Sequence, residues 1–546
     1  MPEQHSATAN SLALATPALA RQSAWRSLWY FSVVLVGNEI RLRSRRWSTL
    51  AAIFLVMLVC WNMIVDPASG MAMMTINGRR TLYTSSAIAI ASASLLGMVL
   101  LFAGFYLIRG RVAEDQRCGM AHVIAASAVS NWQFLACRYL ANLAYFMLLA
   151  YTGMFSVMVL HAVRGEPGIH ISVYWQTYTL IFLPLACYVV GMAALFDSVP
   201  RLMGKLGDLI FFIFWSLQLS LLALVIKPGG PQNLLWFAFD FSGLMTLVLN
   251  MQDQMQTTQF SIGASSFDPA LTPWVLPEAP WSLKFVILRL ASMGVALLPF
   301  LLAIVCFHRY SPDRLSLSQA AQRRSLMRFL NDFFQPARQL LLPLTKLNQK
   351  LPAPLAVVFA EMLVSLQSAP FLLLLISGLG FAACVLPATT LSTILKFFVV
   401  AWGMLIADIA SRDFQSGMQA LTGVHHGAVK RYLRQFTAAW FLALLFALPL
   451  ILRIALHDVV SAWYAILGFF SIALLAASMG SVSGTARLFT ALFLLWFYFA
   501  TQAHQISKLD LFGFNRVADA TTLLVLAAIA LGAFVVGYLY NRQSFR

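Results

Sequence analysis

About a dozen stretches of this chain stay apolar for close to the roughly 20 residues that a helix needs to cross the hydrocarbon layer of a bilayer. They are Trp47–Val65, Ser85–Ile108, Leu140–Leu160, Tyr174–Phe196, Leu206–Ile226 and Phe285–Phe307, then Phe371–Leu386, Leu391–Ile409, Phe436–Ile454, Ala462–Met479, Leu488–Thr501 and Ala520–Leu539. With 60% hydrophobic residues, 10% charged residues and a mean hydropathy of +0.78, little chain is left for a large soluble domain. The expected fold class is all-α: a polytopic membrane protein of about twelve transmembrane helices.

The net charge of +17 would suggest nucleic acid in a soluble chain. Here it has a simpler cause, because basic residues gather in the cytoplasmic loops of membrane proteins. No nucleic-acid partner is expected, and the lipid bilayer is. Met1–Ala20 has no basic start and carries Glu3, so it reads as a cytoplasmic tail rather than a cleaved signal. The six cysteines form no CxxC pair and no two share an external loop, which indicates neither a disulfide framework nor a zinc site.

Along the chain, Arg26–Trp47 ends in Arg41, Arg43, Arg45 and Arg46 and is expected to lie on the inner membrane surface. Lys227–Lys284 is the longest external connection; its apolar run Leu234–Leu249 is too short to cross and is expected to be re-entrant or interfacial. His308–Pro352 is rich in arginine and lysine and reads as a cytoplasmic linker. The division expected is therefore 1–47, tail and interfacial connecting helix; 48–308, a first half of six spans; 309–366, basic linker and second connecting helix; 367–546, a second half of six spans. Six spans return a chain to the side it left, so the halves would be parallel copies with both termini in the cytoplasm.

Two polar interruptions support that duplication. The first, Arg109–Arg138, holds Glu114, Asp115, Gly119, Met120, Ser130 and Arg138; the second, Ser411–Arg434, holds Asp413, Gly417, Met418, Lys430 and Arg434. Asp115, Gly119 and Met120 recur at the same spacing as Asp413, Gly417 and Met418, and both windows follow the second apolar run of their half. Phe359–Met362, with Glu361, also parallels Gly37–Ile40, with Glu39, each just ahead of a span.

These windows resemble the segment between the second and third spans of the membrane subunits of ABC exporters of the type-2 class. In that family an acidic residue precedes a small-residue-Gly pair, a short cytoplasmic coupling helix, a turn, and a basic residue at the mouth of the third span. Asp115, Gly119, Ala128, Val129, Ser130 and Arg138 fit in the first half; Asp413, Ser416, Gly417, Lys430, Arg431 and Arg434 fit in the second. The usual turn proline is missing from both, and His425-His426-Gly427 stands there in the second. The resemblance implies a permease whose coupling helices, Val123–Phe134 and Gln419–Tyr432, dock on separate ABC ATPase subunits, two copies of them. It also implies connecting helices carrying Glu39, Arg45 and Glu361, and a hydrophobic or amphipathic cargo exported across a bacterial inner membrane.

The chain has no GxxxxGK[ST] motif, so ATP and magnesium would belong to the partner and this chain would bind no cofactor and no metal and be no enzyme by itself. Loop carboxylates Glu114, Asp115 and Asp413 would cap helix ends or pair with nearby Arg111, Arg117 or Arg412. Two other classes stay open. An ion-coupled secondary transporter would need acidic groups well inside a span; Asp208 comes nearest, while Asp408, Lys396, Arg453 and Arg289 are placed to snorkel toward span ends. A membrane-embedded lipid-modifying enzyme would need paired carboxylates or clustered histidines, and adjacent His425 and His426 would face apart on a helix. The cytoplasmic assignment of the first break predicts that Cys118 reacts with a membrane-impermeant maleimide in inside-out vesicles and not in right-side-out ones.

Overall fold

The computed structural model describes the chain from Val33 to Gln543, apart from a few single residues and pairs and the stretches 67–69, 226–234, 256–259, 308–332, 419–421, 423–426 and 503–505. The expected tail, most of the basic linker and His425-His426 lie outside the described residues. The chain divides into two compact units, Met1–Val199 with Leu217–Ser316, and Pro200–Ser216 with Leu317–Arg546.

The first unit opens with α1 (Val36–Ser44), bent by 69° from α2 (Trp47–Met63). Strands β1 (Met71–Ile76) and β2 (Arg79–Arg80) follow, then α3 (Ser85–Ile108), α4 (Arg111–Arg117), α5 (Met120–Ala126), α6 (Asn131–Arg164) and α7 (Ile171–Ser198). After α8 (Lys205–Val225), whose residues through Ser216 belong to the second unit, come the short α9 (Leu235–Ala238) and α10 (Leu244–Met255), β3 (Phe260–Ser266), and α11 (Leu283–Ala296) with α12 (Leu298–Cys306). The second unit carries α13 (Leu342–Asn348), then α14 (Ala353–Ser368), bent by 103° from α15 (Pro370–Val385). It continues with α16 (Leu391–Ile406), α17 (Arg412–Gln415), α18 (Ala428–Ala455), α19 (Val459–Ser483), α20 (Arg487–Gln502) and α21 (Ala520–Gln543).

Among the described residues, eight helices are long and apolar enough to cross a membrane, or up to ten if each bent pair makes one span. All twelve apolar runs fall on helix, but several of those helices are short, such as the 16 residues of α20. A helix in hydrocarbon must pair its backbone groups within the protein, and two of the helices that span by length carry an internal proline, Pro184 in α7 and Pro449 in α18.

Small residues place the core. The first half of α3 reads SSAIAIASAS, which lets α7 approach closely, and 78% of its most apolar stretch is buried. Only 22% of the corresponding stretch of α21 is buried, so that helix lies at the rim of its unit. Ser92 in α3 shares a hydrogen bond with Tyr178 of α7 at 2.9 Å, both fully enclosed.

The all-α expectation misses a three-stranded antiparallel sheet, ordered β2-β1-β3. Asn77 and Gly78 turn the β1–β2 hairpin with positive φ of 51° and 76°, which is the backbone of a type I′ turn. A second correction concerns Arg289, which does not snorkel. It is 1% exposed on α11, with its guanidinium on backbone carbonyls. Cys118 and Cys384 are exposed, and all six cysteines are unpaired.

In the second unit, α15 meets α18 so closely that a Cβ at Gly380 would stand 2.8 Å from the carbonyl oxygen of Phe446. Backbone cannot yield as a side chain can. Gly380→Val should therefore lower stability by about 1–3 kcal/mol, read as a fall in the thermal unfolding midpoint in detergent, whereas Gly378→Val, with open space around it, should not.

Candidate functional site

The first polar break is built from the ends of five helices. Gly110 lets the chain leave α3 with a φ of 99°, and α4 begins at Arg111. The amides of Gly110 and Arg111 donate to Asp197 Oδ2 at 2.7 and 3.1 Å, so a carboxylate at the end of α7 holds the first turn of α4. Arg109 stands 3.8 Å from the other oxygen of Asp197, with its guanidinium over the rings of Phe105 and Phe196.

Inside this frame lies a chain of buried ion pairs. Arg138, one residue into the third turn of α6, donates to Asp115 Oδ2 at 2.7 Å and to Glu39 Oε1 at 3.4 Å. Arg111 donates to the second oxygen of Glu39 at 2.8 Å and to Glu114 at 2.8 Å. Glu39, Arg111, Asp115 and Arg138 are each under 10% exposed. The connecting helix α1 is thus locked to both sides of the break. Arg43, also on α1, is buried over Tyr145 and donates to the Ile108 carbonyl at 3.4 Å, at the end of α3.

Burial alone would raise the Glu39 carboxyl, but Arg138, Arg111 and Arg43 outweigh it and hold it below the ordinary 4.5. Removing one member of such a cluster leaves a buried charge without its counter-charge, at a cost of about 3–5 kcal/mol. These charges fix geometry: Glu114 pairs with Arg111 as expected, and Asp115 with Arg138.

Several expectations change in detail. Gly119 does turn the chain, in left-handed backbone at φ 72°, and Ser130 caps α6, its amide and hydroxyl both donating to Gln133 Oε1. The short helix of the break, however, is Met120–Ala126 rather than Val123–Phe134, because the chain is extended at Ser127 and Ser130 before α6 starts. Arg45 is exposed and outside the cluster, and Arg43 is the arginine of α1 that is buried. Met120, Val123 and Trp132 stay exposed on the outer side of the break.

The second unit repeats the plan with fewer charges. Arg434 donates to Glu361 of α14 at 2.7 Å. Its neighbour Gln435 reaches Asp413 at 3.5 Å, Thr422 donates to the same carboxylate at 3.2 Å, and the buried Arg431 acts on it electrostatically and donates to Thr422 at 3.1 Å. Gly417 adopts the left-handed backbone of Gly119, φ 71°. Arg412 does not pair with Asp413 as expected; it binds Asp408 and Ser365 at 2.8 Å. Lys430 is exposed. Gln419–Tyr432 is not one helix over its described part, since α18 starts at Ala428 after Gly427. Here burial, helped by Asp413, prevails over Arg434 and Arg412 and raises the Glu361 carboxyl above 4.5.

Asp197, Arg43 and Arg109 were missed by sequence reasoning. Only the position of Asp197, directly after an apolar run, could have marked it. No group of three or more His, Cys, Asp or Glu is placed to hold a metal ion among the described residues. No family model, no curated protein and no solved structure matches the chain.

The two glutamates predict opposite pH behaviour. Glu39 ionises more readily in the folded chain, so its contribution is present above 4.5 and lost as pH falls through its depressed pKa. Glu361 ionises less readily, so its contribution is present below 4.5 and lost as pH rises through its raised pKa. Thermal unfolding against pH should therefore show Glu39→Gln the more destabilising at neutral pH, its difference from wild type shrinking only below 4.5. Glu361→Gln, which mimics the protonated form that burial favours, should match wild type below 4.5 and gain stability relative to it as pH rises through the raised pKa. Equal losses with one pH dependence would contradict the assignment.

Proposed function

We propose that this chain is the membrane-spanning subunit of an ABC exporter of the type-2 class, two halves of about six spans each fused in one polypeptide. In this reading it sits in a bacterial inner membrane with both termini cytoplasmic. It exports a hydrophobic or amphipathic cargo with ATP and magnesium held by two copies of a separate ATPase subunit. The observation that carries the reading is the burial of Glu39, Asp115 and Arg138 in one cluster. A polar loop with no mechanical task has no need to enclose its charges, and enclosing them is expensive. The cluster and Asp197 together tie the short α4–α5 segment to α1, α6 and α7, so force applied to its exposed outer side reaches several helices at once. Met120, Val123 and Trp132 offer apolar contact on that side. In the second unit Glu361, Asp413, Arg434 and the turn at Gly417 would serve the second ATPase.

An ion-coupled secondary transporter is the second reading, and Asp208 favours it. That carboxylate is 2% exposed in the first turn of α8, more enclosed than an interfacial residue would be.

Co-purification with an ATPase domain separates them. The wild-type chain should bring down a lone ATPase subunit from its host membranes and support ATP-dependent export in vesicles. Val123→Glu with Met120→Glu, both exposed and outside the ion-pair cluster, should abolish co-purification while the chain still inserts and folds. Transport that follows an ion gradient without ATP, and that Asp208→Asn abolishes, would overturn the exporter reading.

A further inference from the structure

Arg289 lies far from the polar breaks and serves neither of them. Its guanidinium is enclosed on α11, a helix that with α12 is apolar enough to span, and it binds backbone oxygens on two other elements. Nε donates to Leu180 O at 3.1 Å and Nη2 to Ile181 O at 3.1 Å, both on α7. Nη1 donates to Asp240 O at 2.5 Å and Nη2 to Phe241 O at 3.4 Å, in the turn between α9 and α10.

Each end of this arrangement has a local cause. Pro184 sits inside α7 and has no N–H, so Leu180, four residues back, loses its helical donor. Arg289 Nε supplies the donor missing at Leu180, and Nη2 adds one at Ile181. At the other end the Asp240 carboxylate is occupied by α10: Oδ1 accepts from Ser242 and the Gly243 amide, and Oδ2 from the amide and hydroxyl of Thr246. That leaves the main-chain oxygens of the turn for the arginine. Gly243 has a φ of 79°, and a Cβ there would stand 3.2 Å from Arg289 Cζ, so glycine makes room for the guanidinium. Tyr188, one turn beyond Pro184, stacks on Phe241 at 4.0 Å.

We propose that Arg289 is a positioning residue, a clasp that joins the proline break in α7 to the α9–α10 turn so that the two move as one part. A fixed charge in a span is costly enough to be functional by default, and its planar fork bridges two backbones as a lysine could not. The clasp holds whichever energy source drives the protein, so its failure and the failure of the exporter reading are distinguishable.

Amide hydrogen exchange on the full chain in lipid nanodiscs tests it. Arg289→Met should speed exchange in the 180–188 segment of α7 and in the 239–244 turn together, by about tenfold or more. Pro184→Ala gives Leu180 back its helical donor. In the double variant the α7 segment should regain protection to within about threefold of Pro184→Ala alone, while the turn stays fast. Should Arg289→Met fail to fold, Gly243→Ala keeps the charge and the proline but displaces the guanidinium from the turn side; it should still loosen α7. Loosening confined to the turn in either variant, or a double variant whose α7 segment exchanges as fast as in Arg289→Met, overturns the clasp.

Discussion

One guanidinium, that of Arg138, lies between the carboxylates of Glu39 and Asp115, and the arrangement of the first unit around its polar break depends on it. The three side chains come from α1, the break itself and α6. Ion pairs of this kind add little to stability when solvated and much to geometry when enclosed, since each charge then has one acceptable place. The break is consequently a fixed piece of the fold. Asp197 and Arg43 extend the same restraint to the ends of α7 and α3.

The second unit shows how the same plan works with fewer charges. Where Arg138 serves two carboxylates, Arg434 serves Glu361 and the neutral Gln435 reaches Asp413. With fewer positive groups around it, Glu361 feels its burial more than its partners, and its carboxyl shifts in the opposite direction from that of Glu39. Both units turn at a left-handed glycine, Gly119 or Gly417, and differ in how tightly each break is held. Arg289 solves a related problem by donating to main-chain oxygens, one of which a proline leaves without its helical donor.

Much of the helical framework was legible in the sequence. Apolar runs of the right length have one way to satisfy their backbone in lipid, so Ser85–Ile108 could be read to the residue. The sheet was legible in part, for Asn77-Gly78 is a strong hairpin signal, but two short strands among so many spans are easily passed over. Glu39, Asp115 and Arg138 were found through a repeated pattern and a family resemblance, and they do come together. Arg45 was chosen over Arg43 because a run of arginines on a helix does not announce which one turns inward. Arg289 was placed at a span end, where it could have reached water.

What the sequence by itself determined was local: which segments are helical, where polarity interrupts them, and which glycines turn the chain. Those follow from interactions between residues a few positions apart and from the solvent each segment must face. Which charges meet was decided only by the tertiary structure, because Glu39 finds Arg111 and Arg138 across 72 and 99 residues of chain. At such separations no periodicity links the partners, and only the packing of α1, α4 and α6 brings them within hydrogen-bonding distance.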